Sequence, residues 1–149
     1  MNDRARPSLH TLLAHMPLVL WGMSFVFDVL SSSRGARFVE AALFNVIAGL
    51  VAMAAALVTE LWDYHTRLAP GSIARRLARW HASTNLAATA LFVASLVMRM
   101  MARGAIATPR GPFVASALGV AVLGVAGYLG GLVDWEHTAT TRRQSPDAR

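Results

Sequence analysis

Four long apolar runs constrain this chain more than any other feature. A helix needs roughly 20 apolar residues to cross a hydrocarbon core about 30 Å thick. The runs that reach this length are residues 12–30, 41–62, 82–101 and 113–135. In lipid the backbone must satisfy its hydrogen bonds within each segment, so every run is predicted to be a helix. The sequence therefore predicts an all-α fold, an integral membrane four-helix bundle over residues 1–138, with a disordered tail over residues 139–149.

The composition agrees with a membrane location. Hydrophobic residues make up 55% of the chain and charged residues only 15%, which is too few to cover a soluble globular surface. The net charge of +6 does not indicate nucleic-acid binding, because the arginines lie between the apolar runs, as in membrane loops. The predicted surrounding is the lipid bilayer. The chain has no Cys, which excludes disulfides, thiolate metal sites and Cys nucleophiles.

The arginines also predict an orientation. The membrane surface on which the N-terminus lies is named side A. The opposite membrane surface is named side B. Nine arginines fall on side A, namely Arg4, Arg6, Arg67, Arg75, Arg76, Arg79, Arg142, Arg143 and Arg149. Five fall on side B, namely Arg34, Arg37, Arg99, Arg103 and Arg110. Because cytoplasmic loops carry an excess of basic residues, both termini are predicted to be cytoplasmic.

Polar residues of the first half recur in the second half at one fixed offset. The offset is 71 positions for three pairs: His10 and His81, Asp28 and Arg99, and Asp63 and Asp134. Self-similarity of this kind predicts the duplication of a two-helix hairpin. Two such hairpins that enter from the same side are related by an axis along the membrane normal. Each pair of recurring residues is therefore expected at one depth in the membrane.

Asp28 and Arg99 are both disfavoured alone within apolar runs. Their matched depth predicts a structural ion pair between the first and third helices. The alternative is a proton or anion path through the bundle.

All five histidines fall on side A, and this placement leaves ligand-binding and ligand-free interpretations open. Two imidazoles from different helices can hold a b-type haem in the core of a bundle. His10 and His81 are the natural axial pair, His15 is the next candidate, and Asn85 lies one turn from His81 on the same face. A quinone or another small hydrophobic ligand is a further alternative.

Two other interpretations use the carboxylates of side A. His10 and His81 together with Asp63 and Asp134 form a sufficient ligand set for a divalent metal such as zinc or iron. The same residues can instead pair with each other as hydrogen-bonded staples between adjacent helices, without any ligand.

The fourth run contains small residues at a spacing typical of helix packing. Gly127 and Gly131 form a Gly-x-x-x-Gly pattern, which lets two helix backbones approach closely. The pattern predicts either a homo-oligomer or packing within the bundle. No nucleophile elbow, phosphate-binding glycine loop, zinc-protease helix or nucleotide fingerprint occurs, so the sequence names no reaction.

Polar residues and glycines follow one another in a distinctive order along nearly the whole chain. The order is His10 and His15 with Pro17, then Asp28, Asp63 with Tyr64, His81 with Asn85, Arg99, Gly127 with Gly130 and Gly131, and His137. This order resembles a family of bacterial predicted membrane proteins labelled DUF2231, a domain of unknown function. The sequence departs from that family at Thr11 and Met16, and at residues 134–136.

The resemblance implies four helices in a bacterial inner membrane and no assigned activity. Some relatives resemble fusions to Rieske iron–sulfur domains, which implies a redox role and an electron-transfer partner. Two hypotheses for the function follow from the residues and the resemblance. One is a redox or cofactor-binding membrane module, and the other is a structural or accessory membrane protein whose His, Asp and Arg residues only hold the helices together.

Overall fold

A computed structural model describes the backbone of residues 9–66 and 73–144 and the side chains of residues 15–59, 61–62, 73 and 75–132. It contains four helices, α1 (Leu9–Arg34), α2 (Ala36–Thr66), α3 (Ile73–Met101) and α4 (Arg110–Gln144). Each helix includes a segment that is long and apolar enough to cross a membrane: His15–Arg34, Ala36–Thr59, Arg75–Met101 and Arg110–Leu132. The predicted all-α membrane four-helix bundle is confirmed.

The two links on side B are built differently, and glycine and proline explain both. Only Gly35 separates α1 from α2. Its φ of 85° lies in the left-handed region, and its backbone N–H donates to the Ser31 carbonyl at 3.2 Å. Residues 102–109 separate α3 from α4 and include Gly104, whose φ is 87°. Thr108 precedes Pro109, and a residue before proline is disfavoured in the helical region, so α4 begins only at Arg110.

Helix α4 is longer than the sequence predicted. It continues to Gln144, so residues 139–144, which the sequence assigned to a disordered tail, are helical. No glycine or proline occurs between Leu132 and Gln144, so nothing in the sequence ends the helix where the apolar run ends. The remaining residues of the tail lie outside the described part of the chain.

The bundle consists of two hairpins. α1 packs along α2 and α3 along α4, while smaller contacts join α1 to α4 and α2 to α3. The diagonal helices α1 and α3 meet through long side chains. The rings of Trp21 and Phe92 stack at the centre of the bundle, with centroids 4.2 Å apart and planes 13° from parallel. The core cluster around them comprises Trp21, Val46, Met53, Ala88, Phe92 and Leu123.

Two glycines make room for this central stack. The indole of Trp21 lies so close to Gly49 of α2 that a Cβ at that position would overlap it, and Trp21 Nε1 donates to the Val46 carbonyl at 3.2 Å. A Cβ at Gly119 of α4 would lie 2.6 Å from Cε2 of Phe92. Each hairpin therefore places a glycine beneath its own central aromatic ring.

We expect Gly49→Ala to destabilise the protein, because the fully buried Trp21 ring cannot move aside without breaking the stack. Overpacking of this kind costs about 1–3 kcal/mol of the free energy of unfolding. The measurement is thermal unfolding in detergent. Gly22→Ala is the matched control, since nothing lies within 4 Å of a Cβ added there. Equal unfolding temperatures for the two variants would contradict the packing role of Gly49.

Candidate functional site

Among the described side chains, the most deeply buried charges form an ion pair between α1 and α3. Arg99 Nη2 lies 2.5 Å from Asp28 Oδ2, and the two residues are 5% and 2% exposed. In a low-dielectric interior an isolated charge is far more costly than a paired one. The structure thus brings together the two residues that the sequence matched at an offset of 71.

Hydroxyl groups from three elements complete this ion-pair cluster. Arg99 Nε donates to Ser95 Oγ at 3.2 Å, and Arg99 Nη2 also donates to Ser116 Oγ at 3.1 Å. Thr108, in the link between α3 and α4, donates its hydroxyl to Asp28 Oδ1 at 2.8 Å. Its backbone N–H donates to the Ser31 hydroxyl at 3.0 Å. The link therefore folds over the carboxylate of Asp28 and covers it from side B.

Sequence reasoning missed these hydroxyl groups. Ser95 lies one helical turn before Arg99 and donates to the Pro112 carbonyl at 3.1 Å, so its spacing was a usable signal. Thr108 gave none, because its position depends on the conformation of the link. Within the part of the chain whose side chains are described, Arg99 Nη1 is the buried side-chain atom without a hydrogen-bond partner.

A second polar cluster, the histidine cluster, joins α3 to α4 in the side A half of the bundle. His81 Nδ1 lies 2.8 Å from the Ala126 carbonyl, and His81 Nε2 lies 3.0 Å from Asn85 Nδ2. A carbonyl oxygen can only accept, so Nδ1 carries the proton and Nε2 accepts from the amide of Asn85. The ring rests on Gly130, where an added Cβ would lie 3.1 Å from His81 Cε1.

The Trp21–Phe92 stack separates the two polar clusters. On α3 the order is His81, Asn85, Phe92, Ser95 and Arg99, so the aromatic ring lies between the histidine cluster and the ion-pair cluster. Trp21 and Phe92 are each 0% exposed and are packed against apolar neighbours. The described residues provide no polar path between the clusters, which disfavours a proton or anion path along the centre of the bundle.

The other predicted ligands are not gathered into one described site. His15 is exposed on α1. The side chains of His10, Asp63 and Asp134 lie outside the described residues, so the proposed haem pair and the proposed metal set remain predictions. Among the residues that the structure describes, no three His, Asp or Glu side chains come close enough together to hold a metal ion.

Four glycines of α4 differ in what surrounds them. Gly119 and Gly130 face the bundle, against Phe92 and His81 respectively. No atom lies within 4 Å of a Cβ built on Gly127 or Gly131, so these two glycines do not serve packing within the described part of the bundle.

We expect Asp28→Ala to lower the accumulation of folded protein, because it leaves the buried guanidinium of Arg99 without its counter-charge. Removal of one partner of a buried ion pair costs roughly 3–5 kcal/mol. Membrane-fraction yield and thermal unfolding measure the effect. The double variant Asp28→Leu/Arg99→Leu removes both charges and should recover most of the loss. Wild-type yield and stability in Asp28→Ala would disprove the importance of the pair.

Comparison with known proteins identifies the family. The family model described as predicted membrane protein (DUF2231) matches residues 6–143. No curated protein and no solved structure matches the chain. Because the match covers nearly the whole sequence, and the fold is the expected bundle of four apolar helices, the chain belongs to the DUF2231 family of predicted membrane proteins.

Proposed function

We propose that this protein is a structural or accessory module of a bacterial inner membrane, with both termini in the cytoplasm. The observation that carries the proposal is that the polar side chains of both clusters form hydrogen bonds or an ion pair with a neighbouring helix. The excess of arginines on side A supports the orientation. The resemblance to bacterial relatives supports the choice of membrane.

The bonds of the two clusters join complementary parts of the bundle. Asp28 and Arg99 link the first hairpin to the second, across the diagonal from α1 to α3. His81 links the two helices of the second hairpin through the Ala126 carbonyl. Lipid tails are as apolar as the helix surfaces, so the hydrophobic effect does not drive helices together. Hydrogen bonds and ion pairs between helices are therefore among the interactions that hold the bundle together. A module of this kind serves as a stable membrane-embedded platform for a partner.

One observation favours a second candidate, the redox or cofactor-binding module. The Ala126 carbonyl fixes the proton of His81 on Nδ1, which leaves the lone pair of Nε2 as the ligating site. Histidines that bind metal typically donate their other ring N–H to such a carbonyl. The amide of Asn85 would have to move for Nε2 to bind haem iron or a divalent metal, with His10 or His15 as the opposite ligand. An electron-transfer partner belongs to this candidate.

Asn85→Ala distinguishes the two candidates. If Asn85 only supports the bundle, the variant unfolds at a lower temperature and has no visible absorption band, oxidised or reduced with dithionite. If Nε2 of His81 is a ligand, the same variant removes a competitor, so a Soret band or bound metal is retained or increased.

His81→Ala is the companion variant. The structural proposal predicts a less stable protein by about 1–3 kcal/mol, the cost of an unpaired buried amide, with no change in absorbance or metal content. A b-type spectrum or stoichiometric metal in the wild-type protein that disappears in a folded His81→Ala variant would overturn the structural proposal. Elemental analysis and spectra on the same samples decide the question.

We also propose that the chain arose by duplication of a two-helix hairpin. Equivalent residues of α1 and α3 are 71 positions apart, as Asp28 and Arg99 are. Trp21 and Phe92 obey the same offset. Ser24 donates to the Ala42 carbonyl at 2.9 Å, and its equivalent Ser95 donates to Pro112 at 3.1 Å.

The second helix of each hairpin supports the duplication with a slightly different offset. The two carbonyl acceptors, at positions 42 and 112, are 70 positions apart, and so are the two glycines, Gly49 and Gly119. The stretch from Ser95 to Pro112 is thus one residue shorter than the stretch from Ser24 to Ala42, although fewer of its residues are helical. Under this register Asp63 matches Val133 rather than Asp134, so the third pair of the sequence prediction does not support the repeat.

We further propose that the outward face of α4 pairs with a second copy of the chain. Gly127 and Gly131 face away from the bundle, and together with Gly124 they form a stripe on which another helix backbone can approach closely.

Gly127→Leu should therefore abolish the dimer at unchanged thermal stability, because its side chain enters open space within the monomer. Cross-linking in membranes and size-exclusion chromatography with light scattering measure the oligomeric state. Val114→Leu, at another exposed position of α4, is the control that should leave it unchanged. A monomeric wild-type protein, or a dimer that Gly127→Leu leaves intact, would refute the interface.

A further inference from the structure

The first two turns of α3 present basic and aromatic side chains to the outside of the bundle. Arg76, Arg79 and Trp80 are all exposed, Trp80 to 62%. Their spacing of three and four residues places them on one face of the helix. We name these three residues the α3 arginine surface.

The same face of α3 continues into the membrane as an apolar stripe. Leu86, Val93 and Val97 follow at helical spacing and are 63%, 44% and 53% exposed. Exposed apolar side chains in a membrane helix contact lipid tails, so the arginine surface lies at the headgroup end of a lipid-facing stripe. Trp62, at the side A end of α2, is 72% exposed and marks the same interface.

Among the described residues, no acidic side chain neutralises the positive charge of this surface. The first turn of α3 contains no acidic residue, and no described side chain forms an ion pair with Arg76 or Arg79. On side B the sequence places one acidic residue, Glu40, three residues after Arg37 on α2.

We propose that the α3 arginine surface binds the phosphate of anionic phospholipid headgroups. A guanidinium group offers a planar fork of donors that matches phosphate oxygens, and Trp80 places an indole at headgroup level beside it. Clusters of basic residues next to a membrane helix are attracted to anionic lipid. The surface is separate from both polar clusters, so this inference stands whether or not the proposed structural function is correct.

The test is lipid binding to the delipidated full-length protein, measured by native mass spectrometry. Phosphatidylglycerol and phosphatidylcholine with identical acyl chains are titrated separately. We expect tighter binding of phosphatidylglycerol, reduced about fivefold in Arg76→Gln or Arg79→Gln and roughly 25-fold in the double variant. Arg76→Lys/Arg79→Lys keeps both charges and should retain most of the preference. An unchanged preference in the double Gln variant would overturn the proposal.

Two controls separate lipid binding at this surface from the effects of net charge and of free phosphate. Arg34→Gln/Arg37→Gln removes the same charge from side B and should reduce binding by less than about fivefold. An equal loss in that variant would show that net charge, not the α3 arginine surface, attracts the lipid, and would also overturn the proposal.

Inorganic phosphate should displace phosphatidylglycerol no better than chloride at matched ionic strength. Stronger displacement would identify free phosphate, rather than lipid, as the ligand. Thermal unfolding shows that each variant is folded.

Discussion

The pairing of Asp28 with Arg99 is the constraint on which the rest of this structure depends. Neither charge is tolerated alone in a hydrocarbon interior, so α1 and α3 must face each other at that depth. Once they do, the side chains two turns away on the same faces also meet across the diagonal, and Trp21 stacks on Phe92. Helices α2 and α4 can then pack closely against α1 and α3, because Gly49 and Gly119 leave space for the two aromatic rings.

The proposed duplication explains why residues at equivalent positions touch. In a symmetric pair of identical hairpins, each residue on the two-fold axis meets its own copy. Two identical aromatic rings can stack there, but two identical charges would repel. A fused chain removes that restriction, because the two copies can then differ. Asp at position 28 and Arg at position 99 are such a difference, and it ties the two hairpins to each other rather than to hairpins of another molecule.

Much of the fold could be predicted from the sequence, because lipid leaves few alternatives for an apolar run of helical length. The juxtaposition of Asp28 and Arg99 was also accessible, since charges in such runs are scarce. The sequence could not place the Thr108 hydroxyl on Asp28, which depends on an irregular link. Nor could it identify the Ala126 carbonyl as the acceptor for His81, because main-chain groups carry no residue signature. The end of α4 was missed because a helix can continue past its apolar run when no glycine or proline interrupts it.

Helix α3 unites the features that bear on function. One face carries His81, Phe92 and Arg99, which bond or pack to the other helices, and the opposite face carries the arginine surface and the lipid-facing stripe. Trp80 and His81 are adjacent in sequence, so the headgroup level and the histidine cluster lie at nearly the same depth. The aromatic stack isolates that level from the ion-pair cluster near side B. A lipid on the arginine surface or a ligand on His81 would therefore bind to the side A half of α3, far from the Asp28–Arg99 pair that holds the two hairpins together.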